Sequence, residues 1–406
     1  MPTKYRALAS ALAFFSLAFS LPAQNPPAPA APAARTGALP DAPPLFGEEI
    51  DVRVVNVEVT VTDKQGNRVS GLSARDFRLR VDGKEVPVQY FSEIHDGQAA
   101  IPASSTGSGA AEPEPAPSLT PGRLVGTSYL VFIDDFFSNG SQRNTVLTSL
   151  RDQVSRLGPD DRMAIVAYDG RKLTMLTSWS NSTRDLSRAL LTAAERPAHG
   201  VERAAELRSF ETGRHDGPPL GISNDAQLAA TTSMAFDEIG YARLLAQQVE
   251  RAATAAASAL RAFAQPPGRK VMLLLSGGWP YSVQDYSLNN ERPVMGRELP
   301  EGDKLLRPLV STANLLGYTL YPVDVPGLAP NPADVNNDTP VSPNSERKFQ
   351  VQQSLEYTAK ETGGKALLNS RRTDLLNVAA EDLTSYYWLG FTPDRKRDDK
   401  RHTVKV

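Results

Sequence analysis

Asp134 and Asp135 follow the apolar run 129–133, and Ser138 stands four residues after the first carboxylate. Two carboxylates and a hydroxyl at a strand end supply hard oxygens of the kind Mg2+ takes, in octahedral geometry with waters retained. The same residue types also have a plainer use: an Asp at a strand end caps the following loop through its own backbone. Ser276, followed by Gly277 and Gly278 after a second apolar run, offers a different chemistry. A nucleophile elbow needs a glycine two residues before the serine, and Leu274 stands there, so a hydrolase is the weakest reading. Asp324 closes a third apolar run. His95, His199, His215 and His402 show no His-Glu-x-x-His spacing, so zinc is not indicated. The chain has no cysteine, which excludes disulfides, thiol chemistry and iron–sulfur ligation.

These residues need a scaffold, and from residue 128 the chain alternates strand and helix. Residues 129–133, 163–168, 270–275, 318–324 and 365–369 read as strands, the first a continuous apolar run suited to burial on both faces of a parallel sheet. Residues 172–179 follow 163–168 too closely for a crossover and predict an antiparallel edge strand. Helices are expected over 146–157, 183–195, 238–263, 308–316 and 345–362, with Pro308 at a first helical position and Gly363 as a C-terminal cap. The pattern predicts an α/β fold with a doubly wound, mostly parallel sheet over 124–384. Residues 197–236 and 325–344 interrupt it; the first carries Arg203, Arg208, Arg214, His215 and Asp216, either a recognition loop or a lid filling the crevice.

Ahead of that domain, Val55, Val57, Val59 and Val61 alternate with polar residues, and Phe77, Leu79 and Val81 lead through Asp82-Gly83 to Val86, Val88 and Tyr90. Period-two alternation around an Asp-Gly turn predicts antiparallel strands, with Pro87 marking a sheet edge. The tail 385–406 reads as two more strands around a charged turn. A small antiparallel β-sandwich built from both chain ends, 46–95 and 385–406, is therefore expected, with Tyr386, Tyr387, Trp388 and Phe391 in its core. Residues 24–45 and 96–123 are Pro/Ala-rich and Pro/Ser/Gly-rich and read as disordered or linking segments. Residues 1–23, with Lys4 and Arg6 before a short apolar run and small residues after it, have the layout of a secretory signal peptide. Secreted or periplasmic placement follows, with no transmembrane span after cleavage. The net charge of -2 argues against a nucleic-acid partner.

The strand ending in Asp134 within "DDFFS", the segments "GRKVMLLLSGGWP", "GYTLYPVDVPGL" and "AKETGGKALLN", the opening "VTVTDKQGNRVSGLSARDFRLRVDGKEVPVQYF" and the ending "YYWLGFTP" resemble the von Willebrand factor type A fold, in the form found in acidobacterial secreted proteins. The resemblance implies a metal-ion-dependent adhesion site with D-x-S-x-S after the first strand, a Thr from a second loop and an Asp from a third. Asp134 and Ser138 match; Phe136 replaces the first Ser, Gly277 takes the third-loop Asp position, and "PAHGVERAAELR" offers no Thr. The site is thus degenerate, no cofactor is expected, and Asp134, Ser138 and Asp135 are what remain for an atypical Mg2+ site. The implied partner-binding face comprises Asp134, Asp135, Phe136, Ser138, Ser276, Trp279 and Asp324. The function expected is a non-catalytic, metal-independent module binding a protein partner in the envelope or outside the cell. A Mg2+-dependent adhesion protein is the alternative.

Overall fold

The computed structural model describes residues 54–65, 68–95, 97–100, 122, 124–206, 224–264, 268–283, 299–300, 302–325, 343–368, 373–381, 385–393 and 402–406; the side chains of 224–238, 343–349 and 381 fall outside the description. The expected signal peptide, the segment 24–45, residues 101–121, Arg208, Arg214, His215, Asp216, most of 325–344 and the charged turn before residue 402 lie outside the described residues.

Strands β1 (Val55–Val59), β2 (Leu79–Val81), β3 (Lys84–Val86), β4 (Tyr90–His95) and β5 (Gln98–Ala99) precede five longer ones: β6 (Thr127–Asp134), β7 (Arg162–Tyr168), β8 (Leu173–Ser180), β9 (Arg269–Ser276) and β10 (Tyr318–Asp324). Strands β11 (Ser385–Phe391) and β12 (Val404–Lys405) close the chain. Helices are α1 (Gly140–Gln153), α2 (Thr183–Glu195), α3 (residues 200–206), α4 (Asn224–Ala262), α5 (Gly302–Leu316), α6 (Pro343–Glu361) and α7 (Leu375–Glu381).

The fold is mixed α/β. One five-stranded sheet has the order β10-β9-β6-β7-β8, parallel except for β8, the antiparallel edge strand. Every residue of β6 is buried, as its continuous apolar run requires of a central strand. Tyr129, Val131 and Ile133 point to the face covered by α1, α2 and α7 in one apolar cluster. Helix α4 contacts β6 and β7, and packs on α5, through a row of buried alanines, Ala252, Ala253, Ala256, Ala257 and Ala259, whose small size lets the backbones approach. The C-terminal edges of β6 and β9, held in register by seven pairings, form the platform on which the site stands.

Two antiparallel sheets draw strands from both chain ends, β1-β11-β4-β5 and β12-β2-β3. Tyr387 on β11 reaches Phe77 and Phe91, with ring centroids 5.1 and 5.9 Å away, while Tyr386, on the other side of the strand, packs with Ile94 and Ala99. Arg269 at the start of β9 lies over the Tyr386 ring at 4.8 Å and pairs with Glu58 of β1 at 3.2 Å, beside a cavity of about 210 Å³. Asp82 and Gly83 have φ of 51° and 80°, the two left-handed residues that a type I′ hairpin turn demands.

Several expectations need correction. The strand expected to run through Pro87 stops at Val86, and Tyr90 opens a strand in the other sheet: proline cannot donate to the ladder, so the chain changes sheets there. Strands β11 and β12 do not pair with each other; each joins a different sheet. The linking segment is shorter than 96–123, because β5 pairs with β4 and Gly122 N donates to Ala99 O at 2.8 Å. Helix α4 begins at Asn224, not at 238, since 224–236 contains neither Gly nor Pro to stop it. Helix α5 starts at Gly302, with Pro308 inside it, where the buried Leu305, Leu306, Leu309 and Val310 offset the lost backbone bond. The strand expected at 365–369 is a single bridge, Val323 to Leu367, and α7 was not anticipated.

Candidate functional site

Strand β6 delivers Asp134 to the C-terminal end of the parallel sheet, the end at which open α/β sheets form ligand crevices. Its neighbour β9 delivers Ser276, and β10 places Asp324 opposite Ser276 in register. The seven residues named from the sequence are therefore brought together. They are not brought to the surface. Asp134, Asp135, Ser138 and Ser276 are 0% exposed, Trp279 1% and Asp324 3%; only Phe136 is partly accessible. A partner touching this end cannot reach those six side chains in this conformation, so the face expected from them is an interior cluster.

The Asp134 carboxylate is saturated by protein donors. Its Oδ1 accepts from the backbone N–H of Phe136 at 3.1 Å and of Phe137 at 3.2 Å. Its Oδ2 accepts from Ser276 Oγ at 2.7 Å and from Trp279 Nε1 at 2.8 Å. Burial pushes this carboxyl up to about 6 against the pull of those donors. Ser276 Oγ in turn accepts from Gly278 N at 3.1 Å, so the hydroxyl is spent on structure and has no base to activate it.

These residues do not fit a divalent cation. Both oxygens of Asp134 are occupied, one of them by an indole N–H. A Cβ at Gly277 would lie 2.0 Å from the Phe137 carbonyl oxygen, so no carboxylate can stand at the third-loop position. Among the described residues no group of three or more His, Asp or Glu side chains is placed to hold a metal ion.

Asp135 is consumed differently. Its Oδ1 accepts from Arg143 at 2.5 Å and its Oδ2 from Arg196 Nε at 2.7 Å, forming a buried Arg-Asp-Arg triad. Burial pushes its carboxyl up, and Arg196 and Arg143 pull it back toward the ionised form. Arg143 also donates to the carbonyls of Ala194 and Arg196, satisfying the exposed end of α2. The sequence reading missed both arginines. Arg143 was findable: 143, 146, 147 and 150 form one buried stripe of α1, and a charge on such a stripe needs a buried partner.

The stretch 196–206 lies directly on this cluster. His199 N donates to Asp135 O at 2.8 Å and Gly200 N to Ser138 O at 3.0 Å, while Arg203 sits 4.9 Å over the Phe136 ring. A Cβ at Gly200 would come within 2.6 Å of the Ser138 backbone, so this approach needs glycine. The described start of the 197–236 interruption is thus a cover.

No family model matches the sequence, and no curated protein is found similar to it. Solved structures are similar at low identity. They include an aerotolerance-related membrane protein of Bacteroides fragilis, 11% identical, with 63% of this chain and 98% of that chain covered and a TM-score of 0.31. The vWF domain of the type V pili tip protein Mfa5 of Porphyromonas gingivalis is 9% identical over 64% of this chain and 94% of its own, at 0.34. A variant of the PilB minor pilin of Streptococcus sanguinis is 10% identical over 82% and 87%, at 0.31. At such scores the site stands on its own atoms.

Proposed function

We propose that this chain is an exported, non-catalytic binding module, a doubly wound α/β domain of von Willebrand factor A type joined to a β-sandwich, that engages a protein partner without a metal ion. The observation that carries the reading is the saturated Asp134 carboxylate. Four protein donors do the work that a cation does in a metal-dependent adhesion site, so a partner carboxylate has no open coordination position to complete. Catalysis is disfavoured by the same bonds, because Ser276 is buried and committed to Asp134. Binding falls to the rim: Phe136, partly exposed, and the cover bearing His199, Glu202 and Arg203. Among the described residues no helix is long and apolar enough to cross a membrane.

The test is crosslinking of the mature protein to its own envelope fraction with EDTA or with millimolar Mg2+. The reading expects the same crosslinked species in both, and its loss in Phe136→Ala. Capture that depends on Mg2+ would restore the metal-dependent alternative.

A further inference from the structure

The cluster beneath the cover holds one polar atom that the fold leaves unserved. Ser138 Oγ is fully buried and has no hydrogen-bond partner among the described residues. An unmet buried hydroxyl is costly, and native structures seldom keep one without a reason. The covering stretch 196–206 closes over it by two backbone bonds, from His199 to Asp135 and from Gly200 to Ser138, by Arg143 donating to the Arg196 carbonyl, by one cation over Phe136, and by Arg196 on Asp135. Arg196 is the removable member of the triad. Asp135 with both Arg143 and Arg196 carries one positive charge in excess; without Arg196, the fully buried Arg143–Asp135 pair stays neutral and bonded. Arg196 is also the more exposed of the two guanidinium groups, 17% against 1%. Closure therefore rests on the Arg196–Asp135 contact and leaves a hydroxyl without a partner among the described residues; opening breaks the first and relieves the second.

We infer that residues 196–206 form a strap that opens as a local unit about Arg196, uncovering the Ser138 hydroxyl and the Asp135–Arg143 pair at the C-terminal end of the sheet while the sheet stays folded. The strap gates that end of the sheet. An acidic group on a partner, competing with Asp135 for Arg196, is the chemistry that would hold it open. That last role rests on the binding function proposed above; the opening itself does not.

The chain contains no cysteine, and a Cβ built on Gly140 lies 3.7 Å from Ala198 Cβ, within the usual disulfide range. The double variant Gly140→Cys/Ala198→Cys therefore staples the strap to the start of α1. Hydrogen exchange followed by mass spectrometry reads the opening without any partner. In the unchanged protein, the amides of 199–203 should exchange at least about a hundredfold faster than those of 130–133 in β6. The oxidised staple should slow them by about tenfold or more, with reductant reversing the effect. Arg196→Met, which needs no disulfide, should speed them by about tenfold and leave 130–133 unchanged. Strap amides that exchange at the rate of β6 would overturn the inference. So would an Arg196→Met effect spread equally over strap and sheet, since the triad would then be part of the global fold. Failure of the crosslinking test with these exchange results intact would sink the binding function and not the strap.

Discussion

Asp134 shows how one side chain can hold two strand ends together. Its four donors come from the loop after β6, from the last residue of β9 and from the loop that follows it. Asp134→Asn keeps the shape and offers an amide N–H toward Trp279, leaving two donors face to face. The expected cost is about 1–3 kcal/mol in urea denaturation. Combined with Trp279→Phe, which removes the indole donor, that cost should shrink, so the double-mutant cycle should show coupling of about 1 kcal/mol or more. The pH dependence has a definite sign. A carboxyl raised from its ordinary value to about 6 binds its proton more tightly in the fold than in the unfolded chain. Its contribution to stability is thus fully present below about pH 4 and is lost as pH rises through about 6, up to roughly 3 kcal/mol. Ser276 Oγ can turn to accept the acid proton, which keeps the protonated state bonded. Asp134→Asn should flatten this slope between pH 4 and 7; an unchanged slope would place the titration elsewhere.

At the scale of elements, close backbone approaches decide what the loops can be. Gly277 packs its backbone on Phe137 O, so Gly277→Asp, which adds a carboxylate beside Asp134 on paper, should lower the melting temperature by several degrees and gain no Mn2+ binding in calorimetry. In the hairpin, Asp82 and Gly83 were legible from their types alone, and the observed positive φ values agree. Gly83→Ala should cost about 1 kcal/mol there, although the space around it is open, because an L-residue is strained at φ of 80°. Boundaries were read less well. Pro87 was seen as an edge signal, but whether it ends a strand depends on which sheet receives the next one. The start of α4 was hidden because helical periodicity fades in an Ala- and Thr-rich stretch while helix propensity does not.

Across the whole molecule, β11 is the piece that ties the chain ends together. It lies between β1 and β4, in register from Val55↔Phe391 to Ser385↔His95. Removing 385–406 should leave β1 without a described sheet neighbour and strip β4 of one side. Limited proteolysis should then cut the segment bearing β1–β4 rapidly while the strands of the five-stranded sheet resist; equal resistance of that segment before and after truncation would contradict the pairing. Arg269 carries the link onward, since its guanidinium spans Tyr386 and Glu58 from the first residue of β9.

By itself the sequence determined the alternation of strands and helices, the central burial of β6, the antiparallel edge at β8 and the gathering of Asp134, Ser276 and Asp324 at one end of a sheet. Those follow from periodicity and from the way parallel strands point their C-terminal ends together, which are local and topological facts. Only the tertiary structure decided what the two carboxylates do. Asp134 and Asp135 look equivalent in the chain, yet one is wired to Ser276 and Trp279, the other to Arg143 and Arg196, residues up to 145 and 61 positions away. A carboxylate's role is set by the donors folded against it, and those are long-range contacts that no spacing along the chain encodes.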